Sequence, residues 1–166
     1  MNKKNYELWD TIPLTRGQFQ ALEQKEKLLY LCKLAQLAPS THNIQPWRFF
    51  IDKDNGFIDI YADRRSILPE SDVAGRQTLV SMGCAIENIA VGASFLQACP
   101  EIKVAATKKT LMAPGDKKFS QERYAYLARV KYSTKSRPLE YEALYKSIFT
   151  RKVTRAEYDP LRPLPS

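Results

Sequence analysis

A chain of 166 residues has room for one domain with its own core, or for half of a larger protein. Its apolar fraction of 44% and charged fraction of 27% are those of an ordinary soluble globular protein. The formal charge of +8 permits nucleic-acid binding, but it is spread along the chain with no recognisable RNA- or DNA-binding motif, which argues for solvated surface instead.

No run reads as long and apolar enough to span a bilayer, so no membrane partner is expected. The basic start, Met1 to Asn5, has no apolar region behind it and is not a secretory signal. Cys32, Cys84 and Cys99 are odd in number and widely spaced, which argues against a disulfide framework or a zinc site. Unpaired cysteines suit a reducing compartment, and the expected location is the cytoplasm.

In chain order, residues 1–20 read as a charged arm broken by Pro13 and Gly17. From Gln20 to Leu37 the apolar residues recur at three- and four-residue spacings, which predicts a helix. Pro39 ends it, because the residue before a proline is pushed out of helical geometry. "WRFFID" and "FIDIYAD" flank a turn containing Asn55-Gly56 and predict a β-hairpin. Ser71 and Asp72 are candidate N-caps for a long, small-residue-rich helix, Val73 to Ala98, read as the buried central helix. Glu101–Thr107 and Tyr124–Ser133 read as strands. Leu139–Thr150 reads as a short helix with Leu144, Ile148 and Tyr141 on one face. The order α-β-β-α-β-β-α indicates an α+β fold, with helices packed on a mostly antiparallel sheet. The expected organisation is an arm (1–20), one domain (21–150) and a basic, proline-rich segment (151–166).

Neither a dinucleotide fingerprint nor a P-loop is present. His42, the chain's only histidine, has no local catalytic partner, and Glu70 and Asp72 read as groups complementing a helix start. What remains is "PSTHNIQPWRFFI", Pro39 to Ile51. Its two prolines limit the backbone, while Ser40, Thr41, Asn43 and Gln45 offer short polar groups. Such a surface suits the polar edge of a flat heteroaromatic ligand. It equally suits a loop whose amides merely satisfy its own backbone over a buried Trp47.

"APSTHNIQPWRF" resembles the flavin loop of the FMN-dependent nitroreductase superfamily, and "GRQTLVSMGCAIENI" is similar to that superfamily's central helix. The likeness is nearest to the double-length members built from two related halves, with this chain resembling the N-terminal half. The resemblance implies a nitroreductase-like fold with FMN as cofactor. Pro39, Ser40, Thr41 and Asn43 would lie along the isoalloxazine ring, with Gln45 and Trp47 holding the loop in shape. "FTRKVTRAEY" resembles the family's basic motif, so Arg151, Lys152 and Arg155 would contact the phosphate and ring edge; Val153 stands where the family has Ser or Thr. The implied activity passes hydride from NAD(P)H through FMN to an acceptor such as a nitroaromatic or quinone, with no side chain required as an acid or base. The implied assembly is a homodimer or a pairing with a second half. The alternative is a flavin-holding or structural module without turnover.

Overall fold

The computed structural model of the protein describes residues 10–105, 123–132 and 141–151. In chain order these form α1 (Arg16–Ala21), α2 (Gln24–Gln36), β1 (Trp47–Asp52), β2 (Phe57–Asp63), α3 (Arg76–Phe95), β3 (Pro100–Val104), β4 (Tyr124–Tyr132) and α4 (Glu142–Thr150). The fold of the described residues is α+β, with four helices and one antiparallel sheet of strand order β1-β2-β4-β3.

The expected hairpin is present with its boundaries as read, and its register runs from Trp47 opposite Ala62 to Asp52 opposite Phe57. Its connection is longer than a two-residue turn. The Asp52 carboxylate accepts bonds from the Asp54 and Asn55 amides and the Asn55 side chain, and Gly56 takes a φ of 67°. A Cβ at Gly56 would come within 2.8 Å of Gln24 Nε2, so the position suits glycine on two counts. Period-two alternation then sends Trp47, Ile58, Ile60 and Ala62 to the helix side, where they join Ala125, Leu127 and Val130 of β4 in the core. The register shifts between Ile60 and Tyr61, which places Leu127 in a bulge.

Three expectations change at the helices. The predicted helix from Gln20 is two helices, because Leu22 and Glu23 are extended between α1 and α2. Both start on reciprocal capping boxes, Thr15 with Gln18 and Glu23 with Glu26. This places α1, with Phe19 fully buried, inside the stretch read as an arm. In α4 the buried face is Tyr145 and Ile148, while Leu144 is 51% exposed. The tyrosine wins because its ring stacks on Phe95 at 4.4 Å and its hydroxyl is bonded.

The third change concerns α3. Its buried side carries Ser81, Met82, Ala85, Ile89 and Gly92, but Val80, Gly83 and Glu87 on the other side are exposed. The helix is therefore buried on one face over its first part, while Val91 to Ser94 near its end are all buried. By length and composition α3 is long and apolar enough to cross a bilayer, contrary to expectation; half of its apolar window is buried in this fold, as in a core helix. The helix starts at Arg76 with Gly75 as its N-cap, so neither Ser71 nor Asp72 holds that position, but the Asp72 side chain serves the first turn from outside. Its carboxylate accepts from the amides of Gln77 (2.9 Å) and Thr78 (2.8 Å) and from the Thr78 hydroxyl (2.7 Å). Burial raises the pKa of that carboxyl, but the bonds from Thr78 and Gln77 outweigh it and hold the group below its usual range.

Candidate functional site

The loop after α2 departs from ordinary backbone geometry. Thr41–Asn43 form one tight turn, closed by bonds from Asn43 N to Ser40 O (2.9 Å) and Ile44 N to Thr41 O (3.0 Å). His42, Asn43 and Gln45 all sit in the left-handed region, with φ of 49°, 58° and 45°. Asparagine tolerates this region, but three such residues in four cost energy that the surroundings must supply.

Those surroundings are the loop's own polar groups. The Ser40 hydroxyl accepts from Gln45 N at 3.0 Å, and Asn43 Oδ1 accepts from Gln45 Nε2 at 3.2 Å. Ser81 of α3 accepts from Thr41 N at 3.2 Å while donating to Gln77 O. Trp47 anchors the far end in the core, and Arg48 Nη1 donates to the carbonyls of Gln45 (3.3 Å) and Trp47 (2.7 Å). Gln45 and Trp47 thus hold the loop, as the resemblance implied, and the Ser40 hydroxyl works in the same direction. The result is a fixed ridge with Pro39, Ser40 and Thr41 half-buried and His42 and Asn43 exposed. Beside it lies an open depression of about 380 Å³ lined by His42, Leu68, Pro69, Glu70 and Ser71.

Arg151 is brought to the same place from the other end of the chain. Its Nη2 donates to Leu37 O at 3.1 Å, two residues before Pro39 and 114 residues away in sequence. A cation over the carbonyl end of α2 is favoured by the helix dipole, and Asn88 serves Leu34 O of the same turn at 2.9 Å. Lys152 and Arg155 lie outside the described residues.

Sequence reading did not single out Ser81, nor two buried carboxylates of β2. Asp63, 2% exposed, accepts from Arg123 Nη2 (2.9 Å) and Arg48 Nη2 (3.3 Å), with Arg65 Nε at 3.8 Å. Asp59 takes a two-pronged bond from Arg129, both contacts at 2.7 Å, and that guanidinium lies 3.7 Å over the Phe57 ring. The available signal was the alternation of "FIDIYAD", which puts both aspartates on one strand face, alternating with Phe57 and Tyr61.

No family profile matches this chain. It is similar to two uncharacterized proteins of Mycobacterium tuberculosis, Rv3127 of strain H37Rv and MT3212 of strain CDC 1551 / Oshkosh. Each is 32% identical over 69 residues, covering 40% of this chain and 19% of the relative. The similarity thus spans about a fifth of the length of these relatives.

Proposed function

We propose that this domain is an FMN-binding, nitroreductase-like oxidoreductase or the N-terminal half of one. The observation that carries the reading is the meeting of Arg151 with the root of the 39–45 loop. Arg151, the first cation of the basic stretch, bonds to Leu37 O two residues before the loop, although the two lie 114 residues apart in sequence. The rigid loop, with its polar ridge half-exposed, supports it further.

In this reading Pro39, Ser40, Thr41 and Asn43 border the flat ring, and Gln45 and Ser81 fix the backbone beneath them. Arg151, with Lys152 and Arg155 following it in sequence, supplies positive charge for the phosphate and ring edge; charge-assisted hydrogen bonds are the strong ones available for that task. The bound flavin supplies the redox chemistry, accepting hydride from NAD(P)H and passing electrons to a nitroaromatic or quinone, while the protein supplies orientation and charge. The cytoplasm is the compartment in which such a reductant is at hand. The second reading is a flavin-holding module without turnover.

Cofactor binding is tested by purifying the protein without added flavin and titrating FMN against it. The expected outcome is yellow protein, or quenching of FMN fluorescence on mixing. Colourless protein that leaves FMN emission and mobility unchanged sinks the flavin reading; bound FMN with no oxidation of NADH or NADPH selects the module without turnover.

A further inference from the structure

The sheet face opposite the helices carries a second set of chemistry-bearing residues. By register, Arg48 lies opposite Tyr61, Tyr61 opposite Tyr126, and Asp63 opposite Tyr124, so all share this face. Phe50 belongs to it by alternation and is 58% exposed. At the Asp63 end is an open depression of about 300 Å³ whose lining includes Arg48, Phe50, Tyr61 and Tyr124.

The cations here are organised. Asp63 is buried, and Arg48 and Arg123 both bond to it while keeping 46% and 45% of their side chains in solvent. Arg65, 64% exposed, completes the group. One carboxylate thus gathers three guanidinium groups, leaving positive charge over on side chains that stay about half in solvent. Arg123 also lies over the Tyr124 ring at 4.8 Å, which joins the charged group to the aromatic floor. Flat rings beside half-exposed guanidinium groups in excess over their carboxylate suit a ligand with a flat base and an anionic group. Aromatic rings stack any base, and guanidinium matches phosphate geometry.

We propose that this depression binds a nucleoside phosphate, the base lying on Phe50, Tyr61 and Tyr124 and the phosphate meeting Arg48, Arg65 and Arg123. Two sources share this chemistry: a free nucleotide, including the adenosine end of a dinucleotide coenzyme, and a nucleotide within a single strand. The site is separate from Arg151 and stands whether or not the 39–45 loop holds a flavin.

The test is calorimetric titration of the full chain with ADP, adenosine and a twelve-residue thymidine oligonucleotide. ADP is expected to bind at least ten-fold more tightly than adenosine. Phe50→Ala, at an exposed position, and Arg123→Lys, which keeps a charge for Asp63 but loses the fork, are each expected to weaken ADP about ten-fold with unchanged circular dichroism. Neither should alter FMN binding, and Arg151→Ala should leave ADP binding intact, so this site and the flavin reading fail independently. An oligonucleotide bound more tightly than ADP, with affinity falling steeply in salt, assigns the source to a strand; ADP bound more tightly assigns it to a free nucleotide. Equal affinity for ADP and adenosine, no binding of any probe, or ADP affinity indifferent to both variants overturns the proposal.

Discussion

Arg151 combines two roles that a single substitution separates. Its bond to Leu37 O helps close the end of α2, and this puts its charge at the root of the loop that starts at Pro39. If that charge meets the FMN phosphate, Arg151→Ala removes a contact worth about 1.5–3 kcal/mol, a roughly ten- to hundred-fold loss of affinity. Riboflavin lacks the phosphate and already forgoes the contact, so its affinity should hardly change. Fluorescence titration of both ligands against wild type and variant makes the comparison. Equal losses for the two would point to a disturbed loop and defeat the phosphate assignment.

Between elements, two close approaches set how the helices pack. Gly92 of α3 faces Leu34 of α2, and an added Cβ would fall on Leu34 Cδ1 well inside van der Waals contact. Leu34 is fully buried and has little room to yield. Gly92→Ala should therefore destabilise the fold by about 1–3 kcal/mol despite the better helix propensity of alanine, read from the denaturant midpoint. The second approach joins α2, α4 and the residues before α1. Tyr30 and Tyr145 share a 2.7 Å hydroxyl–hydroxyl bond, and both hydroxyls accept from Leu14 N at 3.0 Å. Burial raises both phenol pKa values, and the neighbouring Tyr30 raises Tyr145 further. The folded state then keeps protons that the unfolded chain releases near pH 10, so the clasp's contribution is intact below that pH and is lost as pH rises beyond it. Wild type should lose stability above pH 10 more steeply than Tyr145→Phe, in denaturant titrations between pH 8 and 11.5. Identical slopes would show that the pair does not control alkaline unfolding.

For the molecule as a whole, the one-sided burial of the first part of α3 bears on assembly. Val80 is 61% exposed, with Gly83 and Glu87 on the same open side, and a Cβ at Gly83 would meet nothing within 4 Å. A partner helix could approach closely along that face. We expect a homodimer at micromolar concentration by sedimentation velocity, weakened by Val80→Lys. A clean monomer contradicts the homodimer and favours pairing with a separate second half. A dimer indifferent to the substitution places the interface elsewhere.

The two hairpin strands, the stop at Pro39, the service of Asp72 to the start of α3 and the α+β class were all legible along the chain. They rest on local physics: side-chain alternation, fixed proline geometry and short-range hydrogen bonds. The break between α1 and α2 was hidden because apolar spacing continues across Leu22 and Glu23, and only the two capping boxes mark it. The preference for Tyr145 over Leu144 as the buried residue of α4 could not be read either, because it depends on Phe95 and Tyr30 from other helices. In the candidate site, the loop's composition announced a polar surface, and its resemblance to a flavin loop named a ligand to test. Its left-handed residues, its support by Ser81 and the arrival of Arg151 at Leu37 came only with the tertiary structure. The same is true of the arginines on Asp63, which come from β1, the turn after β2 and the start of β4. Charges and rings are visible in a sequence, but what they do depends on which of them share a face, and long-range packing alone decides that.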